Sequence, residues 1–350
     1  MADILALKET LDKGDMYGLI KAMPQNLEQG IKLGRDADLM RLEQETFQSV
    51  VVAGMGGSAI AGDIARSYLY RQIQIPFMVC RYYRLPAFVN RKSLVICCSY
   101  SGNTEETLSA YDDAIVTGAH IIAITSGGKL AHKAESDGVP IVKIKGGLPP
   151  RAALGYSIAP LLMILERLGL CEEQSEALSQ TALQLKNWAA LYDPADDKNP
   201  ALDLARQIYG TIPVIYSGYE RLNAVATRFK GQLSENAKIL AFTNVFPEQN
   251  HNELVGWHKL YDLDKKYTVV ILKDSQEHKR IRARMEIVMQ YLRDKSIKVI
   301  LLENLSGQDL DRVFYFIQYL DFTSYYLALL NGVDPTPVNA IDYLKEKLAN

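Results

Sequence analysis

The chain has little cysteine, little histidine and no long uninterrupted apolar run. Its four cysteines in 350 residues (Cys80, Cys97, Cys98 and Cys171) show no C-x-x-C spacing, and three of them lie in apolar runs that read as strands. This excludes a disulfide framework and points to reduced, buried side chains of a cytoplasmic protein. The longest apolar stretch, Leu161 to Leu170, is broken by Glu166 and Arg167 and is far short of a membrane span. The N-terminus, M-A-D-I-L-A-L-K-E-T, lacks the basic start and apolar core of a secretion signal. Neither sign of charge is in excess: 39 Lys and Arg against 41 Asp and Glu leave a net charge of −2. A strongly basic face is thereby excluded by composition, and nucleic acid is not an expected partner. A G-x-S-x-G elbow is also missing, which removes a serine hydrolase of the α/β type.

What is present is an ordinary globular composition, 48% hydrophobic and 23% charged, long enough for two domains. Residues 1–30 carry helical spacing, with Ile4, Leu7 and Leu11 on one face and Pro24 punctuating the end. Short apolar runs then alternate with helical patterns. Ser49–Ala53, Pro76–Cys80, Ser93–Cys98, His120–Thr125 and Pro140–Ile144 read as strands, with helical segments near 58–71, 103–117 and 129–136 between them. Crossovers of that length demand parallel strands covered on both faces. Two long helical patterns follow, Arg151–Leu168 and Glu173–Leu191, and then the polar connection D-P-A-D-D-K-N-P from Asp193 to Pro200. Strand patterns resume at Pro213–Ser217, Ile239–Phe242, Thr268–Leu272 and Lys298–Leu302, with helices near 220–236, 278–294, 308–330 and 337–348. The expected fold class is α/β, with two doubly wound parallel-sheet subdomains flanked by helices. The expected divisions are an N-terminal helical segment (1–30), a first α/β domain (31–192) and a second (193–350).

Two loops carry ligand-binding chemistry. G-M-G-G-S-A-I-A-G-D, Gly54 to Asp63, follows the first strand and opens a helix, so that Gly54, Gly56 and Ala59 satisfy the G-x-G-x-x-G/A pattern. Its meaning is a backbone able to approach a phosphate at a helix N-terminus. A dinucleotide site would also need an acid at the end of the second strand; that strand ends Val79-Cys80-Arg81. Arg81 leaves an NADP-binding oxidoreductase open. The second loop, S-Y-S-G-N-T-E-E-T from Ser99 to Thr107, offers three hydroxyls (Ser99, Ser101, Thr104) at another strand-to-helix junction. A bare N-cap needs only one of them. Hydroxyls with backbone N–H donors make a phosphate cradle that needs no Lys or Arg. The turn Thr125-Ser126-Gly127-Gly128-Lys129 closes a further strand and belongs to the same crevice at the strands' C-terminal ends. The site reads as one for a phosphomonoester.

At this point the sequence resembles a known family. The S-Y-S-G-N-T-E-E-T loop with the G-M-G-G-S turn resembles the sugar isomerase (SIS) domain. Pro150-Arg151-Ala152-Ala153-Leu154, Ser234-Glu235-Asn236-Ala237-Lys238, His251-Asn252 and Ile341-Asp342-Tyr343-Leu344-Lys345 resemble the bifunctional phosphoglucose/phosphomannose isomerases. The resemblance implies a metal-independent aldose–ketose isomerase, without cofactor, that interconverts glucose 6-phosphate and mannose 6-phosphate with fructose 6-phosphate through a cis-enediol. It implies that Gly56, Gly57, Ser58, Ser99, Ser101 and Thr104 bind the substrate. Glu235 would be the proton shuttle, Arg151 the charge that holds the enediolate, and His251 and Lys345 the ring-opening groups. It also implies a homodimer in which His251 is contributed across the interface.

Read without that resemblance, each of these residues has a plainer account. Glu235 between Lys230 and Lys238 fits a surface ion pair, Arg151 an exposed first-turn arginine, and Lys345 beside Lys347 a solvated helix end. His251 fits a turn histidine, since its spacing to His258 matches no common metal pattern. The resemblance departs at one place: the family has a Thr seven residues before the lysine, where this chain has Val338, with Thr336 between Pro335 and Pro337. That departure bears on the mannose activity more than on the glucose activity. A sugar-phosphate sensor that binds without turnover is the alternative class; it would keep the hydroxyl loop and have no use for Glu235, Arg151 and His251 together.

Overall fold

The computed structural model describes residues 3–260, 264–304 and 307–348. Contacts divide the chain into two compact units, residues 22–186 with 307–311, and residues 1–21 with 187–306 and 312–350. The N-terminal helical pattern resolves into α1 (Ile4–Leu11), α2 (Met16–Lys21) and α3 (Met23–Arg35). Pro24 therefore stands in the first turn of a helix rather than at the end of one. There its fixed φ is already helical and its missing N–H would have no partner anyway.

The first unit carries β1 (Ser49–Gly54), α4 (Gly56–Tyr68), β2 (Phe77–Cys80), β3 (Ser93–Ser99), α5 (Glu105–Thr117), β4 (His120–Thr125), α6 (Gly128–Asp137) and β5 (Ile141–Lys143), then α7 (Leu154–Arg167) and α8 (Ser175–Trp188). Its five strands are all parallel, in the order β2-β1-β3-β4-β5. β1 and β3 are buried along their whole length, as strands covered on both faces must be. On one face Val51, Val95, Cys97 and Ile121 pack with Ala110, Tyr111 and Ala114 of α5 and with Leu130 and Ala134 of α6. The order reverses beside β1, so the crevice at the C-terminal ends of β1 and β3 is where this topology places ligands.

The second unit continues with α9 (Pro200–Ile208), β6 (Ile212–Gly218), α10 (Asn223–Glu235), β7 (Phe242–Phe246), α11 (Glu253–Gly256), β8 (Tyr267–Lys273), α12 (Lys279–Asp294), β9 (Lys298–Glu303), α13 (Asp309–Leu330) and α14 (Asn339–Leu348). Its four strands are also parallel, in the order β7-β6-β8-β9. Tyr216, Phe246, Val269 and Ile271 pack against Met285, Val288 and Leu292 of α12. The strand expected at Ile239–Phe242 lies later, at Phe242–Phe246. As an edge strand it is only half covered, so F-T-N-V-F lacks the continuous apolar run that marks a central strand. Among the described residues no helix is long and apolar enough to cross a membrane.

Candidate functional site

The G-M-G-G-S turn and the S-Y-S-G-N-T loop lie on neighbouring strands, with Gly54 of β1 in register with Cys98 of β3. Ser58 is buried in the first turn of α4, where its Oγ accepts from Tyr100 N at 3.2 Å, so one hydroxyl ties the two loops together. Ser99, 1% exposed, donates to Thr104 Oγ1 at 3.0 Å. Thr104 is the N-cap of α5 but caps no backbone N–H with its side chain. Its hydroxyl is turned to its neighbour in the loop. Ser101 is exposed, and its Oγ accepts from Asn103 N at 3.3 Å. The helix begins at Glu105 rather than near Asn103, which lengthens the loop that carries the hydroxyls.

The third turn is locked onto the second. Ser126 Oγ donates to Tyr100 O at 2.7 Å, Lys129 N donates to Asn103 Oδ1 at 3.1 Å, and Leu130 N donates to Gly102 O at 2.9 Å. The approach is close enough to require glycine. Gly102 has φ +68°, and a Cβ there would stand 1.7 Å from Gly127 O. Tyr100 was not among the expected site residues, yet its hydroxyl accepts from Leu148 N at 2.9 Å and so pins the segment that leads to Arg151. Burial raises the Tyr100 phenol above its ordinary value, so it remains a neutral donor and acceptor.

Arg151 is not an exposed first-turn arginine. It is 4% exposed and sits in a 3₁₀ turn, Pro150–Ala152, ahead of α7. A Cβ on Gly57 would stand 2.9 Å from Pro150 O and 3.4 Å from Arg151 N, so the glycine turn packs directly on the backbone of that turn. The hydroxyl cradle, the glycine turn and Arg151 thus belong to one unit and touch one another. A guanidinium held this far from water needs charge or dipole partners, which is the setting of a group that handles an anion.

Glu235, His251 and Lys345 all belong to the second unit. Glu235 is half-buried at the last position of α10. That helix end is anchored to α13 by buried polar groups. Arg228 makes a bidentate pair with Asp321, at 3.0 and 2.6 Å; Gln232 Nε2 donates to Asp321 Oδ1 at 2.9 Å, and Asn236 Nδ2 donates to Ser324 Oγ at 2.9 Å. Lys238 directs its ammonium to main-chain carbonyls, those of Glu235, Pro335 and Pro337.

His251 is exposed at the end of a 3₁₀ turn, Glu248–His251, just after β7. The turn is fastened from behind. Tyr216 OH donates to Glu253 Oε1, Asn244 Nδ2 donates to Glu253 Oε2 at 2.6 Å, and Trp257 Nε1 donates to Tyr216 OH at 2.8 Å. Burial, reinforced by the Glu253 carboxylate, holds the Tyr216 phenol far above its ordinary value. Sequence patterns missed this support; its signal was the run His251-Asn252-Glu253 followed by Trp257. Lys345 is exposed on α14, which has no buried residue. Among the described residues no three His, Cys, Asp or Glu side chains are grouped as a cation site would require.

Residues 197–348 match the family model described as the bacterial phospho-glucose isomerase C-terminal SIS domain. The chain is 41% identical over 336 residues to the bifunctional phosphoglucose/phosphomannose isomerase of Caldicellulosiruptor bescii, covering 95% of this chain and 99% of that one. It is 40% identical over 308 residues to the protein of the same name from Thermoplasma acidophilum, covering 87% and 91%. Among solved structures, tagatose-6-phosphate ketose/aldose isomerase from Escherichia coli shares the fold, with a TM-score of 0.68 at 16% identity over 91% of this chain and 94% of that one. With such likeness running nearly end to end, the chain belongs to the bifunctional phosphoglucose/phosphomannose isomerase family.

Proposed function

We propose that the protein interconverts glucose 6-phosphate and mannose 6-phosphate with fructose 6-phosphate. The observation that carries this reading is the 41% identity, spanning 95% of the chain, to a relative named for both activities. The hydroxyl cradle built by buried Ser58 and Ser99 with half-buried Thr104 supports it, because a phosphate dianion can be held there by hydroxyls and backbone N–H groups.

In this reading Gly56, Gly57, Ser58, Ser99, Ser101 and Thr104 hold the phosphate. His251 and Lys345 move protons on the ring oxygens to open the sugar. Glu235 then takes the C2 proton while the C1 carbonyl oxygen gains one, forming a cis-enediol. Returning the proton to C1 with loss of the C2 hydroxyl proton completes the ketose. Arg151 stabilises the negative charge that develops on the enediolate oxygens, as a buried, fixed cation does best. Rotation about C2–C3 presents either face of the same intermediate to one base, which accounts for two epimeric substrates. General base catalysis contributes roughly 10²–10⁴-fold. No residue in this scheme requires a metal or cofactor. The working assembly is a homodimer in which His251 completes the partner's site, and the four free cysteines suit a reducing cytoplasm.

One experiment tests these points together. The purified protein is assayed in EDTA with fructose 6-phosphate and with mannose 6-phosphate, beside Glu235→Gln and His251→Ala variants. Both substrates should turn over, and each variant should be inactive. Refolding the two inactive variants together should restore about a quarter of wild-type activity, because one site of each mixed dimer is whole. Binding of the sugar phosphates without turnover leaves a sensor. Failure of the mixture to recover activity places His251 in its own protomer's site.

A further inference from the structure

Lys238 has a conformation and a set of contacts that its place in the sequence does not explain. It is one of three non-glycine residues with positive φ among the described residues, at +59°. A left-handed lysine is strained, and glycine or asparagine is the usual occupant of such a position after a helix. Three carbonyls account for the side chain. Lys238 Nζ donates to Glu235 O at 2.5 Å, to Pro337 O at 2.7 Å and to Pro335 O at 3.4 Å. An ammonium has three N–H donors and no acceptor, and each of these carbonyls takes one. Lys238 therefore spends its ammonium on the main chain of these two segments.

What it holds is specific. Glu235 ends α10, and its carbonyl lies at the negative end of that helix, where a cation is favoured. Pro335 and Pro337 belong to the segment 334–338 that launches α14: Val338 O accepts from Ile341 N at 2.8 Å and from Asp342 N at 3.2 Å. Thr336 N donates to Asp334 Oδ1 at 2.8 Å, and Gly14 packs so closely that a Cβ on it would stand 2.4 Å from Thr336 Oγ1. The segment is therefore a firm strap. The neighbours of Lys238 are anchored elsewhere, Asn236 to Ser324 and Ala237 O to Asn331 Nδ2 at 2.9 Å, both on or beside α13. Lys238 ties the end of α10 to the strap through its side chain.

We infer that Lys238 is a positioning residue, whose ammonium fixes the main chain of Glu235 against the strap that leads to the helix carrying Lys345. This rests on the reading of Glu235 as the proton shuttle. A shuttle displaced by an ångström loses rate while the phosphate, held by the hydroxyl loops, binds as before.

The left-handed φ supplies a discriminating substitution. Lys238→Gly removes the ammonium and relieves the backbone, so a residue that served only to end the helix would be replaced without loss. Competent sites are counted by calorimetric titration with 6-phosphogluconate, which cannot isomerise, and kcat is expressed per site. Lys238→Gly is expected to lower kcat per site by about tenfold or more, with 6-phosphogluconate affinity within about threefold of wild type and no fall in thermal midpoint. Lys238→Arg, which keeps donors and charge, is expected to recover most of that loss. A kcat per site within threefold of wild type in Lys238→Gly overturns the inference, as does a loss of affinity in proportion to the loss of rate. Wild type and Glu235→Gln run alongside. An inactive wild type, or an active Glu235→Gln, removes the shuttle reading and this inference with it, whatever Lys238→Gly does.

Discussion

At Gly102 the demand on a single residue is at its sharpest. Its positive φ alone disfavours any side chain, and the 1.7 Å approach to Gly127 O leaves no room for a methyl group. Neither backbone can yield alone, because Leu130 N is bonded to Gly102 O and Ser126 N to Tyr100 O. Gly102→Ala should therefore separate the hydroxyl loop from the Thr125–Lys129 turn. The strained conformation accounts for about 1–3 kcal/mol of lost stability. The local effect should be larger on substrate than on fold: KM for fructose 6-phosphate should rise by about tenfold or more, as loss of one charge-assisted hydrogen bond already implies. Steady-state kinetics beside a urea melt separate the two. An unchanged KM in a folded Gly102→Ala protein would mean that the phosphate sits elsewhere. Ser126→Ala, which removes the Oγ bond to Tyr100 O and leaves the one from Ser126 N, should show a milder form of the same behaviour.

Between elements, the end of α10 is set by its contact with α13. Arg228 and Asp321 are buried, and the carboxyl is pulled in two directions. Burial raises its proton affinity, while the guanidinium and Gln232 lower it. Asp321→Asn takes the bidentate carboxylate away from a buried guanidinium, so it should cost about 3–5 kcal/mol, read as a fall in urea midpoint. Arg228→Met combined with Asp321→Leu should regain most of it, since two apolar side chains of similar volume replace the pair. A single variant that costs less than about 1 kcal/mol would mean the pair is solvated. How far such elements were legible follows from their covering. β1, β3 and β4 are buried runs bounded by loop residues, and their limits in the sequence match the structure to within one residue. β7 is an edge strand with polar Thr243 and Asn244 inside it, so its pattern was displaced to the more apolar Ile239–Phe242. The glycine and hydroxyl loops were legible as strand-to-helix junctions because their residue types and spacing are local in the sequence. Lys238 and Glu253 were not, because two of the partners of Lys238 lie 97 and 99 residues away and those of Glu253 lie on β6 and β7.

For the molecule as a whole, the two units share a vulnerability to alkali that follows from what they bury. Burial raises the phenol of Tyr17, in the second unit, to about 12, and that of Tyr68, in the first, also to about 12. The thiol of Cys98, in the centre of the first sheet, is raised by burial to about 12, and Cys97 is raised as well. Tyr325 and Tyr326 on α13 are pushed up further for the same reason. All of these groups are neutral when protonated, so the folded state keeps its protons to higher pH than the unfolded chain does. The unfolded chain loses them from its ordinary values of 9.0 for thiols and 10.0 for phenols. Above those values it binds fewer protons than the folded state, and stability falls with rising pH by about 1.4 kcal/mol per unit for each group. Below pH 9 the contribution is complete and constant. Urea melts should therefore hold their midpoint from these groups up to about pH 9 and lose it steadily toward pH 12, with the slope on urea unchanged. Thiol labelling gives the independent reading. Cys97 and Cys98 should stay unlabelled in the folded protein at pH 8, and should react only as the melt proceeds. A midpoint that stays level to pH 11, or rapid labelling of both cysteines at pH 8 without urea, would show that the sheet is open to water.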